Sequence, residues 1–313
     1  MRVVFMGSPE FAIPPLEQLM LNGHQIAAVY TPPDKPAGRG MEPASSPIKK
    51  AAQSWNLPVI QVPSLKKPEA VEQLAEFKPE AIVVAAFGQI LPPEVLAIPR
   101  YGCLNIHPSL LPKYRGPAPV PAAFLAGDAF AGVSVMLLDA GMDTGPIFAR
   151  AQLSILPFDD SQSLLSKLFQ VGARMLTQVL SVLPEGRFLP EPQNGTEASY
   201  TSEVSKEDGK VDWSQSASSI WHKVRAYNPW PGAYTYWQGK KLKLIEVVAL
   251  PGANGPQPGL VVSLPPPTSG VAVVTGNGVL GVRRLQIEGK REMSVEEFLR
   301  GQRNFIGSVL HEL

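Results

Sequence analysis

Ala81-Ile82-Val83-Val84-Ala85-Ala86 is apolar at every position. A strand with one wet face alternates apolar and polar residues. An unbroken apolar run of this length therefore reads as a strand buried on both faces, as in a parallel sheet covered by helices. The segments around it agree. Arg2–Met6 reads as a first strand, and the turn at Gly7-Ser8-Pro9 leads into a helix carrying Phe11, Leu16, Leu19 and Met20. That helix closes at Asn22-Gly23, before a second strand over Gln25–Tyr30. Gly102–His107 is a further strand, and Ser161–Leu183 a long helix with Leu164, Leu165, Leu168, Val171, Leu176 and Val179 as its apolar face. Strand and helix alternate, which predicts a doubly wound, mostly parallel, Rossmann-like α/β sheet.

Further along the chain the pattern changes. Pro184 to Lys206 is rich in Pro, Gly, Asn, Ser and Glu and lacks periodicity, the composition of an interdomain linker. A helix near Ser216–Ala226 is followed by short strands at Ala233–Trp237, Lys241–Val248, Gly259–Val262, Val271–Val274 and Val279–Leu285. Five short strands separated by Gly and Pro turns predict a small β-barrel of the oligonucleotide-binding type, closed by a helix at Ser294–Arg300. The expected division is residues 1–183, a linker at 184–206 and a barrel domain at 207–313.

Composition narrows the class. A chain of 313 residues with 44% hydrophobic content is long enough for two cores. Its apolar segments are short and interrupted, so no membrane span is expected. The single cysteine, Cys103, forbids an intrachain disulfide and fits a reducing cytoplasm. No Cys/His cluster has metal-ligand spacing, so no metal is expected. The net charge of +1 is unevenly spread, since residues 206–313 hold 13 Lys and Arg against 9 Asp and Glu. A mildly basic back half suits contact with a polyanion. A monomer is expected.

The chemistry-bearing stretch is Leu104-Asn105-Ile106-His107-Pro108-Ser109-Leu110-Leu111-Pro112. Successive strand residues face opposite ways, so Asn105 and His107 share one face and Ile106 takes the other. Pro108 stops the strand at once. An amide donor and a titratable base thus stand together at the carboxyl end of a strand, where open α/β sheets bind ligands. Alone, a strand-end histidine is more often structural than catalytic. One strand later, however, comes Asp139-Ala140-Gly141-Met142-Asp143-Thr144-Gly145-Pro146, with Val133, Val135 and Leu137 alternating before it. Asp143 sits in a Gly-flanked turn suited to bring a carboxylate to His107; its other reading is an Asx turn that caps its own backbone. The stretch from Thr31 to Ser46 has no apolar periodicity, and structureless connections of that length are usually functional or disordered. Its Lys35 and Arg39 can meet phosphates.

Taken in order, several blocks resemble one family: Gly7-Ser8-Pro9-Glu10-Phe11, Pro33–Gly40, Asn105–Pro112 with Tyr114-Arg115-Gly116, Asp139–Gly145 and Asn228-Pro229-Trp230-Pro231-Gly232. They are similar to the folate-dependent formyltransferases and, through the Arg-containing loop and the Asn-Pro-Trp-Pro segment, to those acting on methionyl-tRNA. The resemblance spans essentially the whole chain. It implies formyl transfer from 10-formyltetrahydrofolate to the α-amino group of methionine on initiator tRNA. By the same resemblance Asn105, His107 and Asp143 are catalytic. Ser109, Leu110, Leu111 and Pro112 would line the folate. Backbone groups of Phe87, Gly88, Gln89, Ile90 and Leu91 would read its pterin, and Lys35 and Arg39 would contact tRNA. One departure is visible: Met41-Glu42-Pro43 stands where lysines follow Gly40 in familiar bacterial members.

Three rivals are separable. A formyltransferase for a glycinamide nucleotide wants a phosphate-cradling Gly-rich first turn, and Gly7-Ser8-Pro9-Glu10 is poor for that. An amino-sugar-nucleotide formyltransferase shares the fold, and the basic barrel and the Arg39 loop argue against it. A dinucleotide-dependent dehydrogenase would need G-x-G-x-x-G at the first turn and an acidic end to the second strand, which here reads Val29-Tyr30-Thr31. A non-catalytic RNA-binding module would have no use for Asn105, His107 and Asp143 together.

Overall fold

The computed structural model describes residues 1–37, 42–186, 188–251, 257–264 and 270–311. The chain divides into two units that are not contiguous in sequence. The first comprises Met1–Pro119, Phe130–Ser154 and Leu165–Thr201, and the second Val120–Ala129, Ile155–Leu164 and Ser202–Leu313.

The first unit is built on β1 (Arg2–Gly7), α1 (Ile13–Leu21), β2 (Gln25–Thr31), β3 (Lys35–Ala37), β4 (Glu42–Ala44), α2 (Pro47–Ser54), β5 (Val59–Gln61), α3 (Pro68–Glu76), β6 (Ala81–Ala85), α4 (Pro93–Leu96) and β7 (Cys103–His107). After α5 (Pro119–Ala126) come β8 (Phe130–Leu137), β9 (Ile147–Ser154) and α6 (Ser161–Val182). Seven strands form one sheet in the order β5-β2-β1-β6-β7-β8-β9. The first five run parallel, and β8 and β9 are antiparallel additions at one edge. Strand order reverses between β1 and β6, the switch point where such sheets open a crevice at their carboxyl ends.

Local chemistry explains these elements. All five residues of β6 are buried, as a two-sided strand requires. The Ser46 side chain accepts from Lys49 N at 3.1 Å and starts α2, with Pro47 preset for its first turn. Gly172 lets α6 lie directly on the sheet, because a Cβ there would stand 2.6 Å from Ile106 Cγ2 and 2.9 Å from Val133 Cγ2. Ile106 is thereby locked under α6, and its neighbours Asn105 and His107 face the opposite side. Cys103 is buried, and that burial pushes its thiol up to about 12.

Two sequence-based expectations change here. The described parts of the stretch from Thr31 to Ser46 are paired, Lys35 with Ala44, Pro36 with Pro43 and Ala37 with Glu42. Alternating Pro and Gly hide that pairing from any periodicity argument. The stretch 184–206 is also not a free tether along its whole length. Ile147 and Glu191 exchange main-chain hydrogen bonds of 2.8 Å, and Arg115 and Thr201 are joined by another of 2.8 Å.

The second unit carries α7 (Ala217–Ala226), β10 (Ala233–Trp237), β11 (Lys240–Leu250), β12 (Val261–Leu264), β13 (Gly270–Val274), β14 (Val279–Ile287), β15 (Met293–Ser294) and α8 (Val295–Gly301). Its sheet is antiparallel throughout, in the order β10-β11-β14-β13-β12, with β15 on β14. The segment after α8 pairs with both outer strands: His311 exchanges hydrogen bonds with Tyr236 on β10, and Ser308 O accepts from Val261 N on β12. That double pairing closes the sheet into a small barrel. Its core includes Trp237, Phe298 and Phe305, whose rings meet edge to face at 5.0 to 5.6 Å. Two short pieces from earlier in the sequence, Val120–Ala129 and Ile155–Leu164, belong to this unit. Asn228 Nδ2 donates to Asp160 Oδ2 at 2.6 Å, and the Arg225 guanidinium donates to Asp159 O and stacks over Phe124 at 4.7 Å.

Candidate active site

The carboxyl ends of β6 and β7 lie side by side, with Val84 paired to Asn105. At the end of β7, His107 is 4% exposed and pairs in register with Ser134 on β8. The Ser134 hydroxyl donates to Ser109 O at 2.7 Å and accepts from Leu111 N at 3.2 Å, which pins the turn that follows the strand. Ser109 Oγ donates to Lys113 O at 2.6 Å. Leu111 is buried with Met136 and Ile147. The side chains of Ser109 and Leu111 are thus committed to building the turn, while Leu110 and Pro112 are half-buried at its surface.

The turn after β8 brings Asp143 to His107. Asp143 Oδ2 lies 3.6 Å from His107 Nδ1. The Asx-turn role in this loop is taken by Asp139, whose Oδ1 accepts from Gly141 N at 3.0 Å and from Thr144 Oγ1 at 2.6 Å. Asp143 is left facing the imidazole, with Gly116 N donating to its Oδ2 at 2.8 Å. Gly145 permits the fold-back, since a Cβ there would stand 1.9 Å from Leu137 O. Asp143 itself holds the left-handed conformation at φ 52°, which a residue other than glycine keeps only when its surroundings impose it.

The other ring nitrogen fixes the tautomer. His107 Nε2 is 2.9 Å from Tyr114 O. A carbonyl oxygen only accepts, so Nε2 must carry the hydrogen. Nδ1 is then the ring position left for proton exchange, and it is the one that faces Asp143. A separation of 3.6 Å is beyond direct hydrogen bonding, and such pairs commonly tighten only when substrate binds. Asn105, half-buried on the same strand face, has no hydrogen-bond partner for its side chain among the described residues.

Beyond β6, the segment 87–91 has an unusual main chain. Gln89 turns its amide to the neighbouring loop, accepting from Leu65 N at 3.2 Å and donating to Val62 O at 3.1 Å. Phe87 and Leu91 are buried, and Ile90 is 73% exposed. The main-chain N–H and C=O groups of Phe87, Gly88, Gln89, Ile90 and Leu91 have no hydrogen-bond partner among the described residues. This supplies a row of uncommitted donors and acceptors beside the end of β7, as a planar heterocycle with an amide-like edge needs.

Of the two basic residues expected to meet phosphates, Lys35 lies on β3. Arg39 lies outside the described residues. The base of that hairpin is held by a polar knot. Lys49 Nζ donates to Asp34 Oδ2 at 2.6 Å and to Gln61 Oε1 at 2.9 Å, and Gln61 Nε2 donates to Asp34 Oδ1 at 2.9 Å.

Sequence reading missed Gln193, Ser199 and Tyr200. They sit in the aperiodic stretch read as a linker, where no spacing rule applies. Arg115 offered more of a signal: an arginine in the middle of a Tyr-Arg-Gly-Pro turn, here 5% exposed.

Residues 1–180 match the formyl transferase family and residues 203–303 match the formyl transferase C-terminal domain. That is the class defined by this sheet, this strand-end site and the barrel that follows. The chain is 49% identical over 309 residues to the methionyl-tRNA formyltransferase of Dehalococcoides mccartyi strain CBDB1, covering 98% of this chain and 97% of that one. It is 42% identical to the methionyl-tRNA formyltransferase of Caldanaerobacter subterraneus subsp. tengcongensis, over 99% of this chain and 100% of that one. Among solved structures, HypX from Aquifex aeolicus in complex with tetrahydrofolic acid has the same fold, with a TM-score of 0.67 at 20% identity. That match covers 98% of this chain and 48% of HypX, so this chain spans about half the length of that protein. The chain belongs to the methionyl-tRNA formyltransferase family. No helix among the described residues is long and apolar enough to cross a membrane.

Proposed function

We propose that this protein transfers the formyl group of 10-formyltetrahydrofolate to the α-amino group of methionyl-initiator tRNA. Residues 1–183 would carry the chemistry, and residues 207–313 with the Arg39 loop would hold the tRNA. The observation that carries the reading is the Asn105–His107 strand end with Asp143 placed 3.6 Å from the free imidazole nitrogen.

The donor supplies an electrophilic formyl carbon bonded to nitrogen. Attack by the amine forms a new C–N bond and moves the carbonyl electron pair onto oxygen. Asn105, whose amide is free to donate, stabilises that oxyanion, and loss of one such donor typically costs about a hundred- to a thousandfold in rate. The amine must also give up a proton. His107 Nε2 is held as N–H by the Tyr114 carbonyl, so the proton passes to Nδ1 or to the carboxylate facing it. Collapse of the oxyanion breaks the bond to the folate nitrogen, and the same pair returns the proton to that nitrogen. The Ser109–Pro112 turn and the open main chain of 87–91 line the donor, the latter facing the pterin edge.

The test is a transfer assay with charged initiator tRNA, elongator methionyl-tRNA, free methionine and an amino sugar nucleotide side by side, each with 10-formyltetrahydrofolate. Efficient formylation of initiator methionyl-tRNA, with the other amines far behind, is the expected result. Preferential formylation of the amino sugar nucleotide would overturn it.

A further inference from the structure

The stretch from Gln193 to Thr201 ties together both partners of the imidazole–carboxylate pair. Gln193 Nε2 donates to Asp143 O at 2.8 Å and to Gly145 O at 2.7 Å. Its Oε1 accepts from Arg115 Nε at 3.1 Å and from Arg115 Nη2 at 2.8 Å. Arg115 Nη1 donates to the Tyr200 hydroxyl at 3.0 Å. Six residues further on, Ser199 Oγ accepts from Tyr114 N at 2.8 Å. Tyr114 is the residue whose carbonyl takes His107 Nε2, and Gly116, one residue past Arg115, donates its N–H to the Asp143 carboxylate.

We propose that Gln193, oriented by the buried Arg115, is a positioning residue that latches the Asp143 turn in register with His107. The amide is chemically suited to this. It offers two N–H groups on one side and an oxygen on the other, so it spans two carbonyls and a guanidinium with every group paired. The latch acts where force is needed, because Asp143 sits at φ 52° and its own carbonyl is one of the two that Gln193 holds. Released, the turn is free to relax toward a more common backbone conformation and carry the carboxylate away from Nδ1. Misplacement of a catalytic group by about 1 Å can cost on the order of a hundredfold. This assignment rests on the reading of His107 and Asp143 as the reacting pair.

The test compares full-length Gln193→Glu, Gln193→Met, Asp143→Ala and the double variant Asp143→Ala/Gln193→Glu. In Gln193→Glu the carboxylate still accepts from Arg115 but cannot donate to the two carbonyls, so folding is kept while the latch is lost. Expected are a fall in kcat of at least about tenfold, KM values for folate donor and methionyl-tRNA within about twofold of wild type, and a retained unfolding midpoint. Gln193→Met should lose kcat similarly. In the Asp143→Ala background Gln193→Glu should cause no further loss, since it acts through Asp143. As a control, Asn194→Ala removes a local cap in the same segment without touching the latch, and its kcat should match wild type. Wild-type kcat in Gln193→Glu beside an inactive Asp143→Ala overturns the latch alone. Full activity in Asp143→Ala overturns the underlying pair.

Discussion

Asp34 and Asp143 both sit in polar knots on the first unit, and they are furnished in opposite ways. Asp34 is saturated: Lys49, Gln61 and Ser45 all donate to it, and the Lys49 hydrogen bond foremost holds its carboxyl below the usual range. Asp143 receives one main-chain donor at its carboxylate and otherwise faces an imidazole across 3.6 Å. The elaborate bonding around Asp143 goes to its backbone instead, through Gln193. A carboxylate whose acceptor sites are filled from within has its charge committed to structure. One whose backbone is fixed while its oxygens stay available is prepared for chemistry. The difference makes Asp34 a brace for the hairpin and supports the proposal that Asp143 is a reacting group.

The strongest way to break that distinction is to remove each carboxylate. Asp143→Ala, His107→Ala and Asn105→Ala should each lower kcat by about a hundredfold or more while the protein folds normally. Asp34→Ala should leave kcat within a few fold and show its effect in stability and in KM for tRNA. Equal losses of kcat from Asp34→Ala and Asp143→Ala, measured per folded enzyme, would erase the contrast.

A second experiment asks what the brace is for. If Arg39 contacts the tRNA, Arg39→Ala should reduce transfer to initiator tRNA by at least about tenfold, or roughly 1.4 kcal/mol. Transfer to elongator methionyl-tRNA should change much less. A common factor on both substrates would make the loop a nonspecific phosphate contact. Initiator tRNA binding should also weaken with salt, with a log–log slope of roughly −0.7 to −0.9 per phosphate contacted. Affinity that is flat from low to moderate salt would remove phosphate contacts from the account.

The same two knots show what a sequence discloses. The β7 strand, with Asn105 and His107 on one face, follows from a two-residue period and a terminating proline. The apolar β6 and the Ser216-capped α7 were legible for similar reasons: each is a local rule, satisfied within a few residues. Asp143 could be nominated but not separated from an Asx turn, because only the structure shows Asp139 filling that role. Gln193 and Ser199 lie in a stretch with no period. Their partners stand 50 and 85 residues away, so nothing local constrains them. The pairing of 35–37 with 42–44 was hidden by prolines that silence pattern rules and yet pair. Membership of 120–129 and 155–164 in the second unit hangs on Arg225 and Asn228, again across distances in sequence that no local rule can see.

The smallest expected effect separates charge from shape in the Asp34 knot. Its carboxyl is held below the ordinary range, so the folded state binds that proton more weakly than the unfolded chain does. Stability from this source is complete above the unfolded value of about 3.9 and is lost as pH falls through the lower folded value. Asp34→Asn cannot lose what it never had. Its urea midpoint should lie below wild type at pH 7, and the gap should close as both are titrated below about pH 4. The other carboxylates held low, Asp208, Asp212 and Glu296, are common to both proteins and cancel in the difference. A gap that stays constant down to pH 3 would mean that Asp34 braces the hairpin by its hydrogen-bonding shape alone. Its charge would then contribute nothing, and the contrast with Asp143 would rest on geometry without electrostatics.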